Sequence, residues 1–510
     1  MLDQHSYQQH ISVKIFSVFL LFALGAVLAA SAELTYGGWI QIPILSILWW
    51  RLDSPVANTL KKQFGLGLLF GIGYFVVGLW WIYISLHDVG GINALLACIG
   101  VLLLSAYVAL YFSLATLAIS AFSKNRLTGL FLAASWVLAE FLRGYIFTGF
   151  PWMGFAETQF NGPFAPIAPF FGGLACTFLV IWTSWEIYQL RKHITSSLLL
   201  ITSALAISLF ASSFSFTKPT GEPISVRLIQ GNFEQSLKFN PQAIGQQIDF
   251  YTREITKEAA NLIIIPETAF PWPQPNLPFG LLQYLQTFSN SSGSNILLGL
   301  IGEVPKENGV QYSNRATGLS PNQPPYQYDK SHLVPFGEFI PPGFQWFVKA
   351  FHVPMSDFAR GDLKQAPLTI VRKGQDDLHA AITICYEDVF GGELAYRIQN
   401  SDKPVNLLIN MTNLAWFGDS QAPTQQLRLS QLRSLETGLP ALRATNTGIT
   451  AVLGPDGKLL QSLPEFTQTT LSANVQAYAG KTPYVIWGNL PILVLSCLLL
   501  LWGLIRHRRF

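Results

Sequence analysis

The 510-residue chain contains few charged residues for its length. Asp, Glu, Lys and Arg together make up 12% of it, whereas 50% of the residues are hydrophobic. Soluble domains usually carry about 25% charged residues, so the composition excludes an ordinary soluble protein and indicates a membrane protein. The formal net charge is only +3. No run of Lys and Arg with interleaved aromatic residues lies outside the membrane flanks, so nucleic acid is not expected as a partner.

Cysteine is also scarce. Three of the four cysteines lie in apolar runs, where a cysteine is usually a packing residue: Cys98, Cys176 and Cys497. The fourth, Cys385, lies outside these runs. The sequence contains no CxxC pair and no cluster of Cys and His, so it predicts neither a zinc site nor a redox pair. We therefore expect no metal and no cofactor.

Long apolar runs are abundant. A helix that crosses a bilayer needs ~20 residues, and seven runs reach or approach this length: 12–31, 37–50, 65–86, 93–121, 127–143, 166–188 and 195–214. An eighth run covers 487–505, after a segment that is richer in Pro, Gly and charge. The sequence thus predicts N-terminal transmembrane helices at 1–216, an external domain at 217–482, and a C-terminal transmembrane helix with a basic tail at 483–510.

The positions of Lys and Arg predict the orientation of these runs. Basic residues follow every second run: Arg51, Lys61, Lys62, Lys124, Arg126, Arg191, Lys192, Arg506, Arg508 and Arg509. The positive-inside rule makes this side cytoplasmic, together with the C-terminus. The external domain is then periplasmic, and the membrane is the inner membrane of a bacterium. Ala30 and Ala32 fit a signal-peptidase site, but the preceding segment is weakly basic and more runs follow, so we expect no cleavage.

The segment 217–482 alternates between short strands and helices. Apolar runs that end in polar residues predict strands at 225–232, 261–270, 295–304, 379–390 and 404–413. Apolar residues at helical spacing predict helices at 241–261 and 422–438. The sequence GPDG at 454–457 predicts a hairpin turn. Strands that alternate with helices, together with a hairpin, indicate an α/β layered sandwich.

Three reactive side chains lie at predicted strand ends, where the sheet holds a residue and the next loop exposes it. Glu267 closes LIIIPE, Lys330 lies in YQYDKSHLVPFGE, and Cys385 closes AITIC. Each has an ordinary alternative role, as a helix-capping partner, a solvated cation or a packing residue. Together they supply a nucleophile, a base for its proton and a cation for the resulting oxyanion. His332 and His352 lie in the same domain, but no nucleophile elbow accompanies them.

The segments around these residues resemble known families. PETAF around Glu267, YDKSHLVPFGE around Lys330 and ICYEDVF around Cys385 resemble the Glu-Lys-Cys triad of the nitrilase superfamily. Four further segments resemble the apolipoprotein N-acyltransferase family: FLRGYIFTGFPW (141–152), QGNFEQSLKF (230–239), NLAWFGDS (413–420) and LRATNTGIT (442–450). The resemblance covers almost the whole chain. It implies an αββα sandwich on a bundle of membrane helices.

The resemblance also implies a reaction and its partners. A phospholipid, typically phosphatidylethanolamine, would donate its sn-1 acyl chain to Cys385 as a thioester. The acyl chain would then pass to the α-amino group of an S-diacylglyceryl cysteine at the N-terminus of an apolipoprotein. Glu267 would be the general base, and Lys330 would stabilise the tetrahedral oxyanion. We expect the protein to act as a monomer.

Further residues are expected to support the triad or to contact the substrates. Glu338 would orient Lys330 or share the proton transfer, and Glu387 would brace the loop beside the nucleophile. The expected substrate contacts are Phe239, Tyr386, Phe358, Asn413 and Trp416. Two residues depart from the family pattern, since Phe239 replaces a common tryptophan and Leu414 a common aspartate. These departures leave the triad untouched and concern only substrate contact.

The segment 339–361 is rich in aromatic residues: Phe344, Trp346, Phe347, Phe351 and Phe358. One interpretation is a lid or an interfacial arm that admits acyl chains. The other is a buried loop that packs on the sheet. The sequence leaves both interpretations open.

Two other functions also stay open on the sequence alone. A membrane-tethered amidase of the nitrilase type would use water in place of the lipoprotein amine, although a single membrane anchor would suffice for it. A transporter with an external regulatory domain would carry ionisable residues within its spans. Here the apolar runs are nearly free of them, and Glu140 and Glu186 lie towards the ends of runs.

Overall fold

A computed structural model describes residues 19–54, 57, 59–122, 125–235, 240–306, 309–343 and 357–507. The chain divides into two compact units. The first unit comprises the chain up to Phe214 together with the chain from Asn489 onwards, and the second runs from Ser215 to Gly488. The first unit is helical, and the described strands all belong to the second.

Apolar helices make up the first unit. In the described part of the chain they are α1 (Phe19–Ser31), α2 (Gly37–Leu52), α3 (Leu60–Gly78), α4 (Ala94–Ala121), α5 (Thr128–Arg143), α6 (Ala168–Gln189), α7 (Ile194–Ala211) and a last helix at Leu490–His507. Four of these helices, α3, α4, α6 with its preceding turn, and α7, are long and apolar enough to cross a membrane by length and composition. They confirm the prediction of a membrane-spanning helical part. The number of spans stays a prediction, and residues 12–18 of the first predicted span lie outside the described residues.

Glycine allows α1 and α3 to pack at close range. A Cβ atom on Gly25 would lie 2.1 Å from the carbonyl oxygen of Phe70, and one on Gly73 would lie 2.1 Å from that of Phe22. Helices in lipid gain little from the hydrophobic effect when they associate, so close van der Waals packing through small residues replaces it. An alanine at either position would force the two helices apart.

The described residues of the second unit form thirteen strands: β1 (Thr217–Gln230), β2 (Leu262–Ile264), β3 (Phe270–Pro273), β4 (Asn295–Lys306), β5 (Gly309–Leu319), β6 (Tyr326–Asp329), β7 (Leu368–Ile370), β8 (Leu378–Ile384), β9 (Leu407–Thr412), β10 (Ala441–Thr445), β11 (Ala451–Leu453), β12 (Leu459–Ser462) and β13 (Thr469–Gly480). The first sheet has the order β13-β1-β2-β4-β5-β6, with β3 beside β4. The second sheet has the order β12-β11-β10-β9-β8-β7. β11 and β12 are antiparallel around the predicted GPDG turn, where Gly457 has a φ of 76°.

The two sheets pack face to face between two layers of helices. The helices of this unit are α8 (Pro241–Lys257), α9 (Leu281–Ser292), α10 (Gly391–Gln399), α11 (Ala422–Thr437) and the short α12 (Pro483–Trp487). One apolar core joins the sheets, with Leu228 and Ile264 from the first and Ile382 and Ile409 from the second. α8 and α9 cover the outer face of the first sheet, and α10 and α11 that of the second. Since both faces of each sheet are covered, the strands read as apolar runs. The αββα sandwich is confirmed.

The strand directions bring the predicted site residues to one edge of the sandwich. β2 runs parallel to β4, and β6 has the same direction because both β4 and β6 are antiparallel to β5. In the second sheet, β8 and β9 are parallel. Functional residues of such sheets concentrate beyond the carboxyl ends of the strands. Glu267 follows β2, Lys330 follows β6, Cys385 follows β8 and Asn413 follows β9.

α11 confirms the helix predicted at 422–438 but is buried on nearly all sides. Every residue of α11 except Thr424 is buried, including Arg428 and Arg433. The arginines, which the helical pattern places on the face opposite the apolar residues, therefore do not face water. Arg433 forms an ion pair with Glu436, with 3.1 Å between Nε and Oε2. The polar side of α11 thus meets polar groups of the protein, some of them next to Cys385.

Candidate active site

Glu267 is fixed at the edge of the first sheet by donors from three directions. Its side chain is buried, and Asn314 Nδ2 donates to Oε1 at 2.7 Å. Lys330 Nζ lies 3.4 Å from the same oxygen. The backbone N–H of Asn413, from the second sheet, donates to Oε2 at 2.8 Å. Hydrogen bonds to an ionised acceptor are stronger than those between neutral groups, so the carboxylate is held firmly between the sheets.

Lys330 is completely buried and lies between two carboxylates. Its Nζ is 3.0 Å from Glu338 Oε1 and 3.4 Å from Glu267 Oε1. Burial by itself lowers the pKa of Lys330, but the negative charges of Glu338 and Glu267 outweigh burial and raise the pKa above its usual value. The side chain is therefore a cation at neutral pH, as a donor to an oxyanion must be. The role of Glu338 in orienting Lys330 fits this contact and stays a prediction.

Asn314 bridges the two acids and is missing from the residues predicted by sequence. Its Nδ2 donates to Glu267 Oε1 at 2.7 Å and to Glu338 Oε1 at 2.8 Å. Its backbone carbonyl oxygen accepts a hydrogen bond from the backbone N–H of Lys330 at 2.9 Å. Asn314 lies inside β5, not at its end, so the strand-end criterion does not identify it. No local sequence signal distinguishes it from an ordinary strand asparagine.

Cys385 has a backbone conformation that is unusual for a residue other than glycine. It begins a 3-10 turn directly after β8, with a φ of 51° in the left-handed region. Residues in such conformations cluster at functional sites, where the surrounding structure holds them in place. Gln426 Nε2 donates to the Cys385 carbonyl oxygen at 3.1 Å. The residue is partly exposed, whereas a cysteine that serves only as a packing residue is usually buried.

The thiol of Cys385 is held in its neutral form. Although part of the residue is exposed, desolvation of the sulfur raises the thiol pKa, the charge of Glu267 raises it further, and the charge of Lys330 lowers it; the result is a pKa of about 12. A thiol must become a thiolate to attack. A base must therefore take the proton during the reaction. Glu267 is the carboxylate that acts most strongly on the thiol, so it is the candidate for that base.

Glu387 joins the loop after β6 to the turn that begins at Cys385. Its Oε1 accepts the N–H of Ser331 at 2.7 Å, and its Oε2 accepts the N–H of Ile384 at 2.7 Å. The Tyr328 hydroxyl donates to the same carboxylate at 2.8 Å. Burial raises the pKa of Glu387, but Arg397 and the hydrogen-bond donors outweigh burial and lower it. This carboxylate therefore links the two sheets beside Cys385, and its role as a brace for the loop stays a prediction.

The residues predicted to contact substrate differ in exposure. Tyr386 and Asn413 are buried; Tyr386 packs against neighbouring aromatic rings, and Asn413 Oδ1 accepts from Asn446 Nδ2 at 3.1 Å. Trp416 is 37% exposed, and Phe358 is partly exposed. Of these four side chains, those of Trp416 and Phe358 are accessible. The role of all four residues in substrate contact stays a prediction.

Several predicted residues lie outside the described part of the chain: Phe239, Phe344, Trp346, Phe347, Phe351, His352, Lys124, Arg508 and Arg509. The described end of the aromatic segment is fixed at the site. The backbone N–H of Phe358 donates to the backbone carbonyl oxygen of Glu338 at 3.0 Å. The backbone N–H of Gly361 donates to the backbone carbonyl oxygen of Lys330, also at 3.0 Å. The lid and the buried loop both stay open as interpretations of 339–361.

The groups assembled here are those of nucleophilic acyl transfer. In the part of the chain that the structure describes, no group of three or more His, Cys, Asp and Glu side chains could hold a metal ion. His332 Nδ1 lies 2.9 Å from Glu393 Oε1, and its ring stacks on Phe390. A thiol, a carboxylate and a buried ammonium group together provide a nucleophile, a base and an oxyanion donor.

Known families match both parts of the chain. A family described as apolipoprotein N-acyltransferase N-terminal domain matches residues 24–185, and one described as carbon-nitrogen hydrolase matches residues 225–484. The chain is 38% identical to an apolipoprotein N-acyltransferase of Ralstonia nicotianae, over 99% of this chain and 97% of that protein. It is 35% identical to one of Pasteurella multocida, over 99% of both chains. It is 37% identical to one of Nitrosomonas europaea, over 91% of both chains.

Proposed function

The chain belongs to the apolipoprotein N-acyltransferase family, and we propose that it acylates the N-terminal amine of lipoproteins through a thioester on Cys385. Its relatives over nearly the whole chain are acyltransferases, which favours this reading over an amidase. The covalent route is supported by one observation above all. Three strand ends place Glu267, Lys330 and Cys385 at one edge of the sandwich, with a carboxylate and an ammonium group acting on the thiol.

The first half-reaction transfers an acyl chain from a phospholipid to the enzyme. Glu267 takes the thiol proton while the Cys385 sulfur attacks the carbonyl carbon of the sn-1 ester. Lys330 stabilises the oxyanion of the tetrahedral intermediate. The ester C–O bond then breaks, and the proton held by Glu267 passes to the leaving oxygen. The products are a lysophospholipid and the thioester.

The second half-reaction transfers the acyl chain to the lipoprotein. The α-amino nitrogen of the S-diacylglyceryl cysteine attacks the thioester carbonyl carbon, and Glu267 accepts a proton from it. The oxyanion again faces Lys330. The C–S bond breaks, the sulfur recovers a proton through Glu267, and an amide is released. Each step has a single lipid substrate at the site, which divides one difficult transfer into two easier ones.

Glu338 and Glu387 have supporting roles in this scheme. Glu338 holds the Lys330 ammonium group at 3.0 Å, so that the oxyanion donor is in place before the substrate binds. Glu387 ties the N–H of Ser331 to the turn that carries Cys385. Phe239, Phe358, Tyr386, Asn413 and Trp416 are the proposed substrate contacts. We propose a monomer, and the support is that the three catalytic side chains come from one chain.

The protein is a membrane protein, and its finer placement is part of the proposal. We place residues 1–216 and 483–510 in the bacterial inner membrane, residues 217–482 in the periplasm, and the C-terminus in the cytoplasm. The support is the predicted cytoplasmic position of the basic residues between the spans. Phosphatidylethanolamine is the proposed donor. Donor and diacylglyceryl acceptor would then both lie in the leaflet next to the catalytic domain.

The proposed reaction can be tested with a defined donor and acceptor. The purified chain in detergent is mixed with phosphatidylethanolamine that carries a labelled sn-1 chain and with a synthetic S-diacylglyceryl-cysteinyl peptide. The expected products are an amide-linked acyl peptide and an equal amount of lysophospholipid. The same peptide with an acetylated α-amine is the matched control and should accept no acyl chain. Labelled free fatty acid in place of the acyl peptide would contradict the proposal and indicate hydrolysis.

A further inference from the structure

A second group of buried polar side chains lies behind the nucleophile, on the side of the second sheet. Thr412 ends β9, Gln426 lies on α11, and Arg443 lies on β10. None of the three has any exposed surface. Burial of polar groups is unfavourable unless they are hydrogen-bonded. The hydrogen bonds of these three side chains therefore indicate their role.

The hydrogen bonds among these side chains run in one direction. Arg443 Nη2 donates to Gln426 Oε1 at 3.2 Å. Gln426 Nε2 donates to Thr412 Oγ1 at 3.0 Å and to the Cys385 carbonyl oxygen at 3.1 Å. An amide nitrogen carries two hydrogens, so these two acceptors use both. Gln426 Nε2 also lies 3.9 Å from the Cys385 sulfur, which is farther away than either of these two acceptors.

The Thr412 hydroxyl group can donate a hydrogen bond to a further acceptor. Because Thr412 Oγ1 accepts from Gln426, its own hydrogen remains for another acceptor. Thr412 lies beside Cys385, because Ile384 of β8 pairs with Met411 of β9 and the two residues directly follow this pair. The Thr412 side chain lowers the pKa of the Cys385 thiol. The series therefore begins at a guanidinium group, which can only donate, and ends at the Thr412 hydroxyl group beside Cys385.

The guanidinium group at the start of the series is fixed by an acid. Arg443 Nη1 lies 3.3 Å from Asp388 Oδ2, and Ser430 hydrogen-bonds to both residues. Thr383 donates to Asp388 Oδ1 at 2.7 Å. A buried charge is tolerated when it is paired and hydrogen-bonded in this way. The arrangement keeps Arg443 in the orientation that Gln426 needs.

We propose that Thr412 is a further catalytic residue, which donates a hydrogen bond to the Cys385 sulfur whenever that sulfur carries negative charge. Gln426 and Arg443 are positioning residues that hold the Thr412 hydroxyl in its donating orientation. The sulfur is negative when it attacks the donor ester and again when the thioester C–S bond breaks, so both half-reactions depend on the contact. The inference rests on the proposed role of Cys385 as the nucleophile.

The same strand end serves both the nucleophile and its base. Thr412 lies beside Cys385, and the next residue, Asn413, donates its backbone N–H to Glu267 at 2.8 Å. A shift of the end of β9 would therefore displace both groups at once. This continuity explains how the two sheets maintain the relative position of the thiol and the carboxylate.

The test measures how readily Cys385 becomes a thiolate. The rate of Cys385 alkylation by iodoacetamide, a neutral reagent, is followed by peptide mass spectrometry as a function of pH. Below the thiol pKa this rate is proportional to the thiolate fraction. Thr412→Val keeps the shape of the side chain but lacks the donor, and we expect a rate about tenfold lower, as is typical for a lost hydrogen bond to a charged group. Thr412→Ser keeps the donor, so its pH profile should lie close to that of the unaltered protein.

A matched control is available in the first sheet. Thr317 is buried on β5, and its Oγ1 has no hydrogen-bond partner in the structure. Thr317→Val makes the same chemical change away from the sulfur and should leave the alkylation rate unaltered. A Thr412→Val profile that superimposes on that of Thr317→Val would overturn the proposal.

A second variant tests the positioning residues and covers the case in which Thr412→Val does not fold. Gln426→Met has a similar volume but no donor, and we expect slower alkylation together with slower acyl-enzyme formation. A purely structural role of Gln426 would lower the melting temperature without shifting the alkylation profile, and this result would overturn the proposal. The alkylation assay needs no lipid. Failure of the unaltered protein to form an acyl-enzyme would therefore contradict the proposed function separately.

Discussion

The two sheets of the catalytic unit contribute to the site in different ways. The first sheet supplies its uncompensated charge, because Glu267, Lys330 and Glu338 meet there as two carboxylates and one ammonium group. The second sheet supplies Cys385 beside neutral donors, and its cation Arg443 is paired to Asp388. In the proposed reaction, the proton transfer and oxyanion stabilisation thus come from one sheet, and the nucleophile comes from the other.

This difference explains why the thiol remains neutral at rest. A cysteine whose surroundings are mainly cationic has a low pKa, whereas the combination of desolvation and the Glu267 charge raises that of Cys385 to about 12. The neutral thiol resists oxidation and unwanted alkylation because the thiolate is the reactive species. In the proposed mechanism, it attacks only when a substrate is present and Glu267 takes the proton. Variants in the first sheet should therefore change the chemistry more than variants in the links between the sheets.

Glu267→Gln should have the largest effect. Loss of a general base typically lowers a rate by about 10²- to 10⁴-fold, and we expect acyl-enzyme formation to fall by that factor. Alkylation of Cys385 should instead become faster, because the carboxylate that raises the thiol pKa is gone. Parallel measurement of both rates checks the prediction. If both rates fell together, Glu267 would not be acting as the base.

Lys330→Met should have the next largest effect. Loss of an oxyanion donor typically costs about 10²- to 10³-fold in rate. Alkylation should also slow down, since Lys330 lowers the thiol pKa. The variant leaves two carboxylates without their cation, so a melting curve is needed beside the rates. In the double variant Lys330→Met with Glu338→Gln, the charge is rebalanced and stability should recover while transfer does not. Recovery of transfer in the double variant would exclude the oxyanion role.

Glu387→Gln should have the smallest effect on chemistry and a clear effect on stability. The pKa of Glu387 is lowered in the folded state, so its contribution to stability is present at neutral pH and is lost as the pH falls from its unfolded value of about 4.3 through the folded-state pKa. We expect a loss of roughly 1.5–3 kcal/mol at neutral pH, as for hydrogen bonds to a charged group. The difference from the unaltered protein should shrink in acid.

Denaturant unfolding at several pH values measures this difference. Glu393→Gln is the matched control, because Glu393 lies nearby and pairs with the partly exposed His332 but not with the turn that carries Cys385. If the free energy of unfolding of Glu387→Gln differed from that of the unaltered protein by a constant amount across the acid range, the prediction of a lowered pKa for Glu387 in the folded state would be wrong.

The sequence locates the strand ends of the site but not the residues between them. Glu267, Lys330 and Cys385 each follow an apolar run, and the parallel directions of the strands then bring them to one edge. Asn314 lies inside β5 and Gln426 inside α11, where nothing local marks a polar residue as functional. Their roles follow from partners that are far away in sequence, and only tertiary structure identifies those partners.

The helix α11 illustrates the same limit. Its periodicity predicts the correct residues as helical, and its arginines suggest a polar face. Burial of nearly the whole helix depends on the second sheet and on the elements packed around it, which periodicity does not describe. The strained conformation of Cys385 is equally invisible in the sequence, because ICYED contains no glycine to suggest a φ of 51°.

The central claim is that Cys385 carries the acyl chain, and intact-mass measurement tests it most directly. The purified chain is incubated with phosphatidylethanolamine, without an acceptor, beside the variant Cys385→Ala. We predict a mass increase of one fatty acyl chain that hydroxylamine removes and that the variant does not show. The absence of this adduct on folded protein with accessible lipid, or the same adduct on Cys385→Ala, would contradict the account.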